Sequence, residues 1–231
     1  MTPQYRLHFA PDNASLIIRL ALLELDVPFE TVLVDRANRA QNSAAYHQLN
    51  PVGRIPALET PHGAMFETGA ILLWLADRHG ALMPAPDSPS RGAALSWLFF
   101  LSNTLHAEQR MLFYPDTYAG VAPPQMHPTL TASLHRHLTL LDGQAAKGTG
   151  WLNAAQPSAL DLYIAPMLRW CALYPANKTG WFNLRTYPAL AALAARIEAR
   201  NSVLTASRDE GLGPHPFTAP QPPIPPIGSA T

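Results

Sequence analysis

The sequence predicts an α/β domain followed by an all-α domain, and three observations carry that prediction. A strand, helix, strand alternation ending in a hairpin fills the chain before residue 80, a proline-rich break follows, and every long segment after it has helical periodicity. The resulting division is 1–81 for the α/β domain, 82–89 for a linker, 90–210 for the helical domain and 211–231 for a proline-rich C-terminal tail.

Arg6 to Ala10 form a short mixed run stopped by Pro11, and the apolar stretch 15–25 is broken only by Arg19 and Glu24. Strand, turn and buried helix are the natural reading. Pro28 blocks continuation of that helix, and Phe29, Thr31 and Leu33 alternate with Glu30, Val32 and Val34 in a β-branched and aromatic segment. Two strands separated by a helix should run parallel. After an irregular helical segment, Ala57 to Thr60 and Ala64 to Phe66 flank Pro61, His62 and Gly63 as a hairpin. Ile71, Leu72, Leu75 and Ala76 then fall at helical spacing between Thr68 and His79, with Gly80 placed to end the helix.

Pro84, Pro86 and Pro89 make 82–89 an extended connection. Helices are expected at 90–114, 126–145, 158–174 and 188–201, and Ser158 with Asp161 has capping-box spacing. The tail has many prolines and little charge, so it is either flexible or an extended strap over the body.

Composition narrows function. Of the 231 residues 48% are hydrophobic, enough for a real core, and sixteen basic residues balance sixteen acidic ones. No net field draws the chain to nucleic acid or to an anionic membrane. No long apolar run is seen near Met1 to Arg6, and none elsewhere is long enough to span a bilayer. The single cysteine, Cys171, excludes an intrachain disulfide and fits a reducing, cytoplasmic setting. No metal or nucleotide is expected: there is no Walker or dinucleotide glycine pattern, and the nine histidines form no ligand set.

One constellation points to chemistry. The run Asn50, Pro51, Val52, Gly53, Arg54, Ile55, Pro56, Ala57, Leu58 is followed by Glu67, Thr68, Gly69, Ala70, Ile71. It resembles the glutathione-site signature of the glutathione transferase family, bacterial members included, and the resemblance extends over nearly the whole chain. It implies an N-terminal thioredoxin-like domain, a C-terminal helical bundle domain and glutathione as co-substrate. It further implies a cis bond between Ile55 and Pro56 that offers the Ile55 main chain to the tripeptide as an added strand. Thr68 at a helix start would meet the γ-glutamyl carboxylate, and Glu67 the ammonium beside it. Arg54 matches a position that reaches the glycyl end, with Arg36 and Arg39 competing for that role. Read without the resemblance, Pro56 only opens a strand and Thr68 only caps a helix.

Glutathione's thiol, with a pKa of about 8.5 like a free cysteine, must be held as thiolate. The family uses tyrosine, serine or cysteine for this, and here the chain departs from it: Phe9, Asn13 and Ala14 stand at those positions. Asn13 and Ser15 are the remaining donors, aided by the helix start. Either can equally be a plain helix cap. Phe9, His106, Arg110 and Tyr114 are expected to form the acceptor pocket, the last three recurring every four residues on one helix face. Trp170 and Tyr174 read as core or interface aromatics. The resemblance thus implies a homodimeric enzyme of detoxification type, joining glutathione to an apolar electrophile. A glutathione-dependent disulfide reductase and a non-catalytic binding protein are the alternatives.

Overall fold

The structure, a computed structural model, describes residues 4–230. Residues 1–3, where the α/β domain and the expected N-terminus begin, and Thr231 at the end of the tail lie outside the described residues. Strand β1 (Tyr5–Phe9) is central: it pairs in parallel with β2 (Phe29–Leu33) and antiparallel with β3 (Ala57–Thr60). β4 (Gly63–Phe66) completes the order β2-β1-β3-β4 through the hairpin. Because side chains alternate along a strand, Tyr5, Leu7 and Phe9 enter the main core while His8 faces Tyr46 of the short helix α2 (Ala44–His47) on the other side. A central strand covered on both faces needs no polar side, and β1 accordingly leaves only Arg6 exposed.

Helix α1 (Ser15–Glu24) has Ser15 to Leu22 wholly buried. It packs against α3 (Thr68–His79), α8 (Ala159–Leu173) and α10 (Asn201–Glu210), so it joins the two domains through one continuous apolar core. Helix α3 stops at Gly80, whose φ of 64° is the left-handed conformation that glycine adopts without steric cost. Residues 82–89 form neither helix nor strand, yet the Leu82 carbonyl accepts from the Ala159 N–H at 2.7 Å, tying this connection to the start of α8. The Ser158 and Asp161 side chains form the capping box there.

The helical domain differs from expectation in four places. The single helix expected over 90–114 is α4 (Arg91–Phe100), a π-helical turn over Leu101–Leu105, and α5 (His106–Phe113). Ser102, Asn103 and Thr104 are weak helix formers whose side chains compete for local hydrogen bonds, as Ser102 does with Asn103 at 2.9 Å. Helix α6 (Pro115–Ala119) restarts at Pro115, where the missing N–H costs nothing. Helix α10 lies beyond the expected helices; its buried residues Ser202, Val203, Ala206 and Glu210 keep helical spacing, but Ser202 and Glu210 are polar. The expected helix near 188–201 ends earlier, as α9 (Pro188–Glu198). Helix α7 (Met126–Ala145) fills the expected span.

The tail is the strap of the two forms expected. Ile224 donates its N–H to the Gly211 carbonyl at 2.8 Å, Gly228 lies against Leu33 and Pro11, and Arg36 donates to the Ala230 carbonyl. Its main anchor is Arg169 of α8, wholly buried, which donates to the carbonyls of Leu212, Pro216 and Gln221 at 3.0–3.2 Å. The same guanidinium grips Asp12 through Nε at 2.9 Å and Nη2 at 3.1 Å. Removing either member of such a buried pair strands the other charge. Arg169→Leu should therefore lower unfolding free energy by about 3–5 kcal/mol, and Asp12→Asn in the same background should recover part of it. Chemical denaturation of the two variants reads this directly, and a loss no greater than that of an exposed pair refutes it.

Candidate active site

A cleft of about 710 Å³ opens between the two domains, within the range of small-molecule sites. Its floor is the loop from Asn50 to Pro56, held rigid by its own polar groups. Asn50 Nδ2 and the Tyr46 hydroxyl both donate to the Arg54 carbonyl, at 2.7 and 2.8 Å, and Asn50 Oδ1 accepts from the Val52 N–H at 3.0 Å. Gly53 has φ 66°, and a Cβ there would sit 3.1 Å from the His47 ring and 3.2 Å from the Gln41 carbonyl, so glycine is required. The Ile55–Pro56 peptide is cis. Among the described residues, the Ile55 N–H and C=O have no protein partner although Ile55 lines the cleft. A free donor and acceptor on one residue is what an added strand would pair with.

Beside them, α3 begins. Thr68 is its first residue and Glu67 its N-cap, the latter with φ 69°, an uncommon conformation for a side-chain-bearing residue. No side chain caps this end, so its N–H groups point at the cleft. Gly69 lets Ser102 of the π turn approach closely; a Cβ there would lie 3.3 Å from the Ser102 Cβ. The structure thus brings together Arg54, Ile55, Pro56, Glu67 and Thr68 along one wall. Of the competing arginines, Arg36 lines the cleft and Arg39 is exposed outside it.

The turn before α1 supplies the third wall with Asp12, Asn13 and Ala14. Asn13 Oδ1 accepts from the Ala14 N–H at 2.8 Å, which leaves its amide NH₂ as the donor side. Two expectations are corrected here. Ser15 is fully buried and its hydroxyl donates to the Ala10 carbonyl at 3.0 Å and accepts from the Ala10 N–H, so it closes the turn and does not reach a ligand. Phe9 is 2% exposed, with Arg19 stacked 4.6 Å over its ring, so it is core and not acceptor pocket.

His106, Arg110 and Tyr114 do line the helical side together, joined by Tyr118. His106 Nδ1 lies 2.8 Å from the Tyr163 hydroxyl and its ring stands against Trp170. Burial, with Arg110 and Arg54 adding repulsion, pushes its pKa down to about 4. It is therefore a neutral hydrogen-bonding group near pH 7 and a poor base. Trp170 and Tyr174, expected as core aromatics, donate to Asp12 at 2.8 and 2.7 Å and line the cleft with Pro175. The signal for these was Asp12 itself, an acid in a turn with nothing nearby in sequence to pair with it.

Fold and cleft together define the glutathione transferase architecture. The N-terminal domain model of glutathione S-transferases matches residues 13–86 and the C-terminal domain model residues 115–196. The chain is 30% identical over 211 residues to glutathione S-transferase GstA of Escherichia coli O157:H7, a match covering 90% of this chain and 99% of that protein. It is 26% identical to the disulfide-bond oxidoreductase YfcG of Escherichia coli K12, over 79% of this chain and 91% of that one. A sphingomonad glutathione S-transferase solved with glutathione superposes with a TM-score of 0.73 at 32% identity, covering 90% of this chain and all (100%) of the other. The chain belongs to the glutathione S-transferase family.

The depressed His106 pKa has a definite sign. The unfolded chain binds a proton at an ordinary histidine value of about 6.5 and the folded one only near 4, so stability is full above the first value and falls as pH drops toward the second. Ring-proton NMR should show His106 neutral throughout pH 5–8. A midpoint near 6.5 would contradict the geometry.

Proposed function

We propose that this chain binds glutathione and joins it through its sulfur to a small electrophile, without metal or nucleotide. The carrying observation is the unpaired main chain of Ile55 beside the uncapped start of α3. The tripeptide's cysteinyl segment pairs with Ile55, its γ-glutamyl carboxylate takes the Thr68 N–H and hydroxyl with the helix dipole behind them, and its ammonium meets Glu67. Arg54 or Arg36 takes the glycyl carboxylate.

The sulfur then falls at the Asn13 turn, where the amide NH₂ of Asn13 and the positive end of α1 favour thiolate over thiol. His106 is too weak a base to take the proton near pH 7, so the proton passes to solvent. The attacking sulfur forms a bond to the electrophilic carbon as the leaving group departs with its electron pair.

Disulfide reduction by two glutathiones is the second reading, favoured by the likeness to YfcG. Cys171 is buried and its thiol pushed up to about 12, so it cannot serve as a resolving thiol and a second glutathione would have to. We further propose a homodimer in the cytoplasm serving detoxification. Val52, Phe66 and Phe99 are large apolar side chains left exposed, and no helix among the described residues is long and apolar enough to cross a membrane. Light scattering reads the oligomer.

Calorimetry tests the binding. Glu67→Ala should weaken glutathione by about 10- to 100-fold, the size of a lost charge-assisted hydrogen bond. Wild type that binds no glutathione would end the reading. With glutathione bound, thiolate ultraviolet absorbance against pH should shift upward in Asn13→Ala, and an unmoved midpoint would take the sulfur away from Asn13. If wild type binds glutathione but turns over neither electrophiles nor disulfides, it is a binding protein.

A further inference from the structure

The glutathione assignment gives no role to Arg110 of the cleft. Arg110 lies on α5, on the helical side, and its guanidinium sits 5.4 Å from the ring centroids of both Tyr114 and Tyr118. It donates through Nη1 to the Tyr118 hydroxyl at 2.6 Å. Arg19, Arg169 and Arg200 each pair with a carboxylate, whereas among the described residues none pairs with Arg110. A guanidinium cannot shed its charge, and stacking between phenols leaves its remaining N–H groups free to bind in the plane of the fork.

The surroundings reinforce this. Tyr114 and Tyr118 keep 38% and 41% of their surface exposed, so their rings are open for stacking, and Phe113 adds an apolar edge against Tyr174. Arg36 donates to the Tyr114 hydroxyl at 3.0 Å, placing a second cation at the far end of the same phenol. The neighbouring His106 is neutral, and the Asp12 carboxylate is occupied by Arg169, Trp170 and Tyr174. Glu67 is the one acid of the cleft with no protein partner among the described residues, and it is committed to the ammonium.

Resting on the transferase reading above, we propose that the acceptor side selects an aromatic electrophile bearing an anionic group, such as an aryl carboxylate. The ring stacks on Tyr114 and Tyr118 and the carboxylate takes the Arg110 fork. This departs from the acceptor expected from sequence, an apolar electrophile, by adding a negative charge to it. In the reaction the glutathione sulfur bonds to the ring carbon that carries a halide, and the halide leaves with the bonding pair. The carboxylate is unchanged, and no oxidant or reductant enters.

The test compares the full-length protein with Arg110→Gln and Arg110→Lys. At saturating glutathione, kcat/KM is measured for a chlorodinitrobenzoate and for its neutral chlorodinitrobenzene counterpart, each corrected for its uncatalysed rate. The ratio of anionic to neutral should favour the anion in wild type, fall about tenfold in Arg110→Gln, and recover in part in Arg110→Lys. An unchanged ratio overturns the proposal. So does an equal loss of glutathione affinity in Arg110→Gln, which would place the guanidinium on the tripeptide. Dinitrobenzoate, lacking a leaving group, is titrated by calorimetry into the same proteins with and without glutathione. Binding about tenfold weaker in Arg110→Gln supports the anion site even without turnover, and equal binding refutes it. Failure of glutathione itself to bind wild type is a separate result, which removes the transferase reading and leaves the dinitrobenzoate measurement to decide this one.

Discussion

A buried carboxylate in a turn governs the arrangement of the cleft. Asp12 has φ 48° and is 4% exposed, yet it carries four hydrogen bonds from the helical domain: two from Arg169, one from Trp170 and one from Tyr174. Its own N–H goes to Glu210 at the end of α10, whose other oxygen holds Arg19 of α1 at 2.7 Å. A charge so far from water persists only when its acceptor sites are met, and here the donors come from α8 and from Tyr174 just after it. The corner proposed to receive the sulfur is thus shaped by residues more than 150 positions away in sequence (157, 158 and 162 from Asp12). Preorganised donors of this kind require no rearrangement when a ligand arrives.

The rest of the cleft follows a division between main chain and side chain. On the α/β side the cleft presents free backbone, in the Ile55 peptide groups and the amides at the start of α3. Side chains there mostly hold backbone in place, as Asn50 and Tyr46 hold the Arg54 carbonyl. On the helical side the wall is side-chain chemistry, with His106, Arg110, Tyr114 and Tyr118 spread over α5 and α6. The π turn at Leu101–Leu105 separates α4 from α5 and sets the phase of that wall. The two walls therefore differ in chemistry, with free peptide groups on one and charged and aromatic side chains on the other.

Much of this was legible before any coordinates. The strand and helix order of the α/β domain is written in alternation, proline placement and Gly80, all local signals. The floor of the cleft was legible because Asn50 through Pro56 and Glu67 with Thr68 are short contiguous motifs. What failed depended on distance or on burial. Ser15 and Phe9 occupy the right positions along the chain, but orientation about a strand end and a helix start turns both inward, and spacing alone does not report that. The roles of Asp12, Trp170 and Tyr174 exist only between domains. Helix α10 was hidden because its buried residues, though at helical spacing, include serine and glutamate, so the inward face does not read as apolar.

Cys171 carries a last consequence. It is the single cysteine of the chain, sealed beneath α8 with its sulfur accepting from Gln109 at 2.8 Å and its thiol held protonated far above neutrality. Soft electrophiles seek thiolate, and this polypeptide exposes none of its own. The chain therefore sets no cysteine thiolate of its own in competition with a thiol held in the cleft.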